Sequence, residues 1–206
     1  MTRPYDAQLG LARLAERVRG RQKDNLPALF ALTDPVRTPD PIAFASALAP
    51  GTGLVYRHYG AASRVETALA LARIADELGL YLFISGDAQL ADHVDADGIH
   101  WPERMLGQAS SRRMRGDTRV FTASVHSAAA AKRARRAGVD ALFHSTVFAS
   151  QSATAGRPHG IFAAAALAQS IQIPVFPLGG VNARTGRRLC GLGFAGFACV
   201  GALSEG

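Results

Sequence analysis

Eight short apolar runs, separated by longer segments of mixed composition, constrain the fold of this chain more than any other feature. The runs are rich in Val, Leu, Ile and Phe and are apolar on both faces, which is typical of parallel strands covered by helices. They span Ala28–Leu32, Gly53–His58, Tyr81–Ser85, Gly98–Trp101, Arg119–Val125, Ala141–Phe148, Pro174–Leu178 and Gly196–Leu203. Eight such units predict an α/β fold of the closed (β/α)8 TIM barrel type, with an open doubly wound sheet as the alternative.

Segments of helical period lie between the apolar runs. Ser127 is a suitable N-cap for one of them, and Gly138 follows the same segment as a C-terminal stop. The predicted helices are Pro41–Leu48, Val65–Leu78, Ala88–Val94, Ser127–Ala137, Ile161–Ser170 and Ala183–Leu192. The alternation of strand and helix is the pattern that a parallel barrel requires.

The two ends of the chain depart from a regular barrel. An extra helix is predicted within an N-terminal extension of residues 1–25, because one apolar stripe is formed there by Ala7, Leu11, Leu14, Ala15 and Val18. The sequence stops at Gly206, so the eighth outer helix is expected to be missing or truncated within a single barrel domain of residues 1–206. Either the N-terminal helix or a partner subunit must cover the last strand, and we expect a homo-oligomer.

Composition excludes several classes of protein. A hydrophobic content of 48% in 206 residues supports a full core, which excludes a disordered chain. The sequence lacks the roughly 18 uninterrupted apolar residues of a spanning helix, and its Arg-rich start is unlike a signal peptide, so we expect a cytoplasmic protein. Cys190 and Cys199 suit neither a disulfide framework nor a structural zinc site.

The net charge of +7 suggests a negatively charged binding partner, which could be a nucleic acid, a membrane or a small molecule. All of the 23 basic residues except Lys23 and Lys132 are Arg. They are spread over helical segments without the interleaved aromatic residues that stack on nucleic acid bases. We therefore expect an anionic small molecule as the partner, and neither nucleic acid nor a membrane.

The carboxyl ends of the strands are where a parallel barrel carries its functional site. Gly179 and Gly180 follow the seventh run, and Gly201 and Ala202 follow the eighth. Glycine lets backbone N–H groups approach an anion closely, and these two exits commonly hold a phosphate, although a Gly-Gly pair can also be only a turn. We predict phosphate binding here.

A loop rich in hydroxyl groups follows the sixth run. Ser150, Ser152 and Arg157 are placed to contact an anionic substrate. A solvated loop without function is the alternative.

Three side chains within or beside the strands are candidates for catalysis. Arg57 lies in an apolar run and needs an anionic partner, either a structural carboxylate or a bound phosphate. His126 follows the fifth run beside Ser124, and His144 lies within the sixth. These two histidines are the acid/base candidates, whereas His93 and His159 are expected to be structural.

Five strings occur together in an order and spacing that identify a family. They are Leu29–Asp34, Ala96–His100, Ala123–Ser127, Ala137–Asp140 and Ile173–Val181. Together they cover nearly the whole chain and resemble the thiamine phosphate synthase and thiazole tautomerase family. The resemblance implies a (β/α)8 barrel that binds a thiazole phosphate. In the synthases it implies joining of that group to a pyrimidine diphosphate, with dissociative release of pyrophosphate and use of Mg2+.

The thiazole phosphate side of the family pattern is retained. The phosphate-binding backbone of the family corresponds to Gly179, Gly180, Gly201 and Ala202. The resemblance also assigns Arg57 to the Arg of the second strand and Ser124 to the Ser of the fifth. The family's Thr-x-Thr is present in weakened form as Ser150 and Ser152.

The diphosphate and metal side of the pattern is replaced. His58-Tyr59 stands where the synthases have Glu-Lys, Ser85-Gly86 stands for Asn-Asp, and Met105 stands for the second metal carboxylate. Mg2+ prefers hard oxygen ligands, so the resemblance implies a Mg2+ cofactor whose ligand positions are not retained. We therefore expect a divergent synthase with weak or lost activity.

Two alternatives remain open. One is a tautomerase-like isomerase that uses His126 or His144 and needs no cofactor, although the family's own histidine position corresponds to Thr146. The other is a non-catalytic protein that binds thiazole phosphate or thiamine phosphate.

Overall fold

A computed structural model describes residues 4–20, 25–150 and 156–200 of the chain. Eight strands occur there, at the predicted places: β1 (Leu29–Leu32), β2 (Gly53–Tyr56), β3 (Tyr81–Ser85), β4 (Gly98–Trp101), β5 (Val120–Val125), β6 (Ala141–His144), β7 (Val175–Pro177) and β8 (Phe197–Val200). All paired strands are parallel, in the order β7-β6-β5-β4-β3-β2-β1-β8. The Ala195 N–H donates to the Val175 carbonyl at 3.1 Å, which brings the two edge strands together. The sheet is therefore a nearly closed barrel, and the predicted (β/α)8 class is confirmed.

Helices alternate with these strands. Within the described residues they are α1 (Pro4–Arg19), α2 (Pro41–Ser46), α3 (Arg64–Leu78), α4 (Ala88–His93), α5 (Leu106–Met114), α6 (Ala128–Arg136), α7 (Ile161–Ile171) and α8 (Ala183–Gly186). Ser127 caps α6 as predicted, because its hydroxyl accepts from the Ala130 N–H at 3.1 Å. The helix predicted over Ala183–Leu192 is instead the short α8 followed by a 3-10 turn at Arg187–Leu189.

Helix α5 was missed by the sequence pattern. It follows a 3-10 turn at Glu103–Met105, and only Leu106 and Ala109 of its nine residues are buried. Two buried residues give too weak a periodic signal to predict a helix.

Helix α1 occupies the place of an eighth outer helix. It packs against β1 and α8, and at its carboxyl end the Arg19 Nε donates to the Ala195 carbonyl, just before β8, at 3.2 Å. The stripe predicted on this helix is buried at Leu11, Leu14, Ala15 and Val18. The prediction is wrong at Ala7, which is exposed, because the buried position of the first turns belongs to Gln8. The expected truncation of the eighth helix concerns residues 201–206, which lie outside the described residues.

Four buried phenyl rings fill the barrel interior: Phe30, Phe83, Phe143 and Phe176. The centroid of Phe30 lies 4.8 to 5.2 Å from those of the other three. Glycines make room for the rings, since a Cβ at Gly53 would lie 2.4 Å from the Phe30 ring and one at Gly98 would lie 2.2 Å from Phe83. This packed layer is a core, and polar side chains follow it toward the carboxyl ends of the strands.

Within residues 4–20, 25–150 and 156–200, none of the helices has both the length and the apolar character needed to cross a bilayer.

Candidate functional site

A layer of polar side chains lies on the carboxyl side of the phenyl rings, where the strands end. His100 of β4 stacks on Phe143 with centroids 4.8 Å apart, so it marks the boundary between the apolar core and this layer. Side chains alternate along a strand, which brings Ser85, His100 and Ser124 to the barrel interior from three neighbouring strands. We call the open end of the barrel above this layer the mouth.

Arg57 reaches the mouth at the end of β2. Its Nε donates to the Thr33 carbonyl at 2.8 Å, and its Nη2 lies 3.4 Å from Asp34 Oδ2. Burial lowers the pKa of the guanidinium, while Tyr59 and Asp34 favour its charged form. The anionic partner that the sequence requires for Arg57 is therefore a carboxylate of the protein, and a ligand would have to share the guanidinium with it.

Ser124 of β5 is half-buried at the mouth and contacts the His100 ring. The distance from Ser124 Oγ to His100 Nε2 is 2.8 Å, and His100 Nδ1 lies 2.9 Å from Thr122 Oγ1. Burial, with a smaller contribution from the positive charge of Arg57, lowers the pKa of His100 to about 3. The imidazole is therefore neutral at physiological pH.

Gly179 and Gly180 form the exit of β7 with φ values of +90° and +66°. A Cβ at Gly179 would lie 2.7 Å from Thr146 Cγ2, and one at Gly180 would lie 2.3 Å from the Ala149 carbonyl oxygen. Only glycine fits both the backbone conformation and the space. Among the described residues, no group accepts a hydrogen bond from either glycine N–H. Within the described part of the chain, these two donors are therefore without a partner and face the position proposed for an anion.

The two candidate histidines occupy different sides of the barrel wall. His126 is exposed at the exit of β5, where its Nδ1 lies 3.1 Å from both the carbonyl oxygen and the Oγ of Ser145. His144 is buried and stacks on His159 with centroids 5.3 Å apart, whereas its neighbour Phe143 faces the barrel interior. Burial, and to a lesser extent the charge of His159, lowers the pKa of His144 to about 4. The structure places His126 at the mouth and His144 behind the sheet.

Three predicted phosphate-binding residues cannot be placed. Ser152 lies within residues 151–155, and Gly201 and Ala202 follow Val200, so all three lie outside the described residues. Ser150 is half-buried at the end of the described part of its loop.

The chain matches a family model, in agreement with the family resemblance of its five sequence strings. The model described as thiamine monophosphate synthase matches residues 33–203, most of the chain. This chain belongs to that family. The match spans β2 to β8 and includes Arg57, Ser124, Gly179 and Gly180.

Individual relatives agree with the family assignment. A putative thiamine-phosphate synthase of Geobacter sulfurreducens is 33% identical over 140 residues, which cover 68% of this chain and 66% of the relative. A thiamine-phosphate synthase of Alcanivorax borkumensis is 29% identical over 185 residues, covering 86% and 85%. The solved thiamine phosphate pyrophosphorylase from Pyrococcus furiosus superposes with a TM-score of 0.74 over 93% of this chain and 90% of its own, at 23% identity. At that identity the superposition supports the fold alone.

The side chains present do not fit the Mg2+ ion that the synthase family uses. A Cβ at Gly86 would lie 3.2 Å from Met105 Sδ and 3.5 Å from the Tyr59 ring, so uncharged side chains occupy the place of the expected carboxylates. The Tyr59 and Ser85 hydroxyls bond each other at 2.5 Å. Mg2+ requires hard oxygen ligands, which Met105 and glycine do not supply.

The two nearby carboxylates are engaged elsewhere. Glu103 accepts from Arg133 at 2.7 Å and from the His126 N–H at 3.1 Å. Asp87 caps α4 by accepting from the Leu90 N–H at 3.0 Å. Within the described residues, no three His, Cys, Asp or Glu side chains come together as a metal site.

Two residues of this layer, His100 and Thr122, were not among the predicted functional residues. Both are polar residues at interior positions of otherwise apolar strands, and in the barrel they pair side by side in adjacent strands. The signal that identifies them is the alternation of Thr122 and Ser124 in β5 and the single polar residue of β4, His100.

Proposed function

We propose that this chain is a thiamine phosphate synthase-like transferase of thiamine biosynthesis. In the proposed reaction the bond between a carbon of the pyrimidine diphosphate and its diphosphate oxygen breaks, and pyrophosphate leaves. The same carbon then forms a bond to the ring nitrogen of a thiazole phosphate. The observation that carries the proposal is the pair of free N–H groups at Gly179 and Gly180, at the mouth of a barrel of this family.

The thiazole phosphate is assigned to the β7 side of the mouth. Gly179 and Gly180 donate backbone N–H groups to the phosphate, and the N–H groups of Gly201 and Ala202 are proposed to complete its contacts. The hydroxyls of Ser150 and Ser152 and the hydroxyl of Ser124 are the side-chain donors proposed for the substrates. These assignments follow the family pattern and the position of the residues at the strand exits.

The diphosphate side limits the rate. Departure of pyrophosphate requires positive charge or hydrogen-bond donors around the leaving oxygens, which is commonly the largest contribution to catalysis. Arg57 supplies one charge, but Asp34 partly neutralises it. Because the residues near Gly86 do not fit Mg2+, we expect turnover well below that of a synthase with a complete metal site.

The test is formation of thiamine phosphate from the pyrimidine diphosphate and the thiazole phosphate by the purified protein, with Mg2+ in one arm and EDTA in the other. Product in either arm supports the transferase. Binding of thiazole phosphate without product in either arm overturns the transferase and leaves a tautomerase-like isomerase or a non-catalytic binding protein. If the protein neither binds thiazole phosphate nor forms product, the whole assignment to thiamine biosynthesis fails.

One observation favours a second candidate, a tautomerase-like isomerase that needs no cofactor. His126 is an exposed imidazole at the mouth, with its Nδ1 held by Ser145. Proton transfer on the thiazole by His126 should persist in EDTA and disappear in His126→Asn. His144 stays outside this proposal, because its ring lies behind the sheet against His159.

We propose a cytoplasmic location and a homo-oligomeric assembly. Helix α1 already covers the outside of β1 and the residues near β8, so the assembly does not rest on an uncovered strand. Light scattering of the purified protein determines the assembly state, and a monomer at micromolar concentration overturns that part of the proposal.

A further inference from the structure

His100 is a buried imidazole that lies between two hydroxyl groups and that the proposed reaction does not use. Its Nδ1 lies 2.9 Å from Thr122 Oγ1, and its Nε2 lies 2.8 Å from Ser124 Oγ. The ring is 2% exposed and stacks on Phe143. The ring plane is therefore fixed. Which ring nitrogen carries the hydrogen decides whether the Ser124 hydroxyl can donate a hydrogen bond to a ligand.

Thr122 determines the hydrogen on one side of the ring. Its side chain is fully buried, and in the described part of the chain His100 Nδ1 is the hydrogen-bond partner of its Oγ1, with no second one. A buried hydroxyl whose hydrogen has no acceptor costs about 1–3 kcal/mol. The Thr122 hydroxyl therefore donates to Nδ1, which must carry a lone pair.

The other side of the ring follows from the first. Burial holds the pKa of His100 at about 3, so the ring is neutral and carries one hydrogen. Because Nδ1 is the acceptor, the hydrogen is on Nε2, which donates to Ser124 Oγ. Ser124 Oγ therefore accepts a hydrogen bond from His100. The hydrogen of the Ser124 hydroxyl remains able to donate to a ligand in the mouth.

We propose that Thr122 and His100 are positioning residues that fix Ser124 as a hydrogen-bond donor to the ligand, so that the atom of the substrate facing Ser124 is an acceptor, such as a ring nitrogen or a phosphate oxygen. The proposal rests on the proposed function only for the identity of that ligand. It also excludes a serine nucleophile activated by His100, because such a serine would have to give its hydrogen to Nε2.

The hydrogen arrangement can be measured on the free protein. Long-range 1H–15N correlation spectra of protein labelled with 15N-histidine distinguish the two neutral tautomers, and His100→Phe, which retains a stacked aromatic ring, assigns the signal. We expect the Nε2–H pattern, without titration between about pH 5 and about pH 8, the range in which a free imidazole changes charge. An Nδ1–H pattern, or a ring that titrates in this range, overturns the proposal.

A matched pair of variants tests the role of Thr122. Thr122→Ser keeps the hydroxyl and should keep the Nε2–H pattern. Thr122→Val has nearly the same shape without the hydroxyl, so the single-tautomer pattern should be lost. Retention of the pattern in Thr122→Val would show that Thr122 does not set it. Circular dichroism of both variants confirms that they fold.

The ligand contact is tested by calorimetric titration with thiazole phosphate. Ser124→Ala should weaken binding about tenfold, the loss expected for one hydrogen bond of about 1.4 kcal/mol. His100→Phe should weaken binding by a similar factor, and the double variant by no more than the larger single loss, because both remove the same donor. Unchanged affinity in Ser124→Ala, or additive losses, overturns the ligand contact. If the wild type fails to bind thiazole phosphate, the proposed function fails, whereas the tautomer measurement stands independently.

Discussion

The β5–β7 side of the mouth differs from the β1–β4 side in how its polar groups are used. On the β7 side, the N–H of Gly180 has no acceptor among the described residues. On the other side, the N–H of Gly86 donates to the His100 carbonyl at 2.9 Å, Arg57 lies beside Asp34, and Tyr59 bonds Ser85. Both glycines have a φ of +66°, so the difference lies in their partners and not in their backbone conformation.

The difference agrees with how the two proposed kinds of site are built. Backbone N–H groups are present whatever the neighbouring side chains are, so a phosphate site built from them survives substitution around it. A Mg2+ site depends on particular carboxylates, and the loss of one or two ligands removes it. On the β1–β4 side Arg57 pairs with Asp34 and Tyr59 with Ser85, which engages these groups without a ligand. Among the described residues of this side, His58 Nε2 and Arg64 Nη1 are buried without a hydrogen-bond partner.

The two matched glycines offer the strongest test of the comparison. Gly180→Ala and Gly86→Ala both place a side chain at the same φ, which costs about 1 kcal/mol in each case. At position 180 the Cβ would also lie 2.3 Å from a backbone oxygen, whereas at position 86 the nearest atom is the flexible Met105 Sδ at 3.2 Å. We expect Gly180→Ala to lose about a hundredfold in affinity for thiazole phosphate, equivalent to one or two hydrogen bonds to a charged group.

Gly86→Ala should change that affinity by less than about twofold, because no ligand contact is assigned there. Calorimetric titration of both variants, with inorganic phosphate as a second probe, measures the contrast. Equal losses at the two positions would show that the β7 side has no special role in binding.

Acid should lower the free energy of unfolding through His144, behind β6, more than through His58, after β2. The folded pKa of His144, about 4, lies below the roughly 6.5 of a free imidazole. The unfolded chain therefore takes up the proton first, and the free energy of unfolding falls as the pH drops from about 6.5 to about 4, by on the order of 2 kcal/mol.

His58 is the matched control for His144. It is also buried, and burial also lowers its pKa, but Asp34 and the Thr38 carbonyl oppose this shift. Urea unfolding at several pH values should show that His144→Phe removes more of the acid dependence than His58→Phe. The same slope in wild type and His144→Phe would contradict this assignment.

Asp34→Asn tests the β1–β4 side of the mouth, because it removes the carboxylate that pairs with Arg57. The Oδ1 atom of Asp34 accepts from the N–H groups of Val36 and Arg37, and asparagine retains this acceptor while losing the charge that faces Arg57. We expect the affinity for an anionic ligand to rise about threefold, since partly exposed ion pairs contribute about 0.2–1 kcal/mol.

Asp40→Asn is the control for net charge. Asp40 caps α2 through the N–H groups of Ile42 and Ala43, and its carboxylate is not a partner of Arg57. Titrations with thiazole phosphate at equal ionic strength compare the two variants. An equal rise in both would mean that general charge, and not the Arg57 pairing, controls affinity.

The smallest effect is expected at the exposed pair of Arg133 and Glu103. Arg133→Gln removes a contact of 2.7 Å in which the Arg133 side chain is 55% exposed. Its loss should change the free energy of unfolding by less than about 0.5 kcal/mol in a urea titration. It should also leave Mg2+ binding undetectable by calorimetry, because one released carboxylate is not a metal site. Appearance of Mg2+ binding would show that the ion pair alone blocks a functional site.

The strands were predictable from this sequence because both faces of each strand are buried. Each strand therefore appears in the sequence as a continuous apolar run. Helix α5 was not, since most of its length faces solvent. The sequence also predicts a phosphate site at the glycines of the β7 exit, because the loop after the seventh strand of such a barrel commonly binds phosphate, and this stays a prediction.

Pairings across the barrel could not be predicted in the same way. Glu103 meets Arg133 across 30 positions of sequence, and Arg57 meets Asp34 across 23. Whether a charged residue is free for a ligand depends on such pairings. Similarly, the side of the sheet on which His144 lies required the register of β6, because one residue of shift exchanges its two faces.

The contact between the first helix and the last strands has a consequence for how the chain reaches this fold. Arg19 and Ala195, which hydrogen-bond, are separated by 176 positions. During synthesis from the amino end, the apolar stripe of α1 emerges long before the segment around α8 and β8 that covers it. Contacts between the first helix and the last strand form slowly, because the chain between them loses conformational entropy before the contact is made. We therefore expect the unfinished barrel to expose the stripe formed by Leu11, Leu14 and Val18, and a nascent chain of this protein to depend on protection from aggregation until its last strand is available.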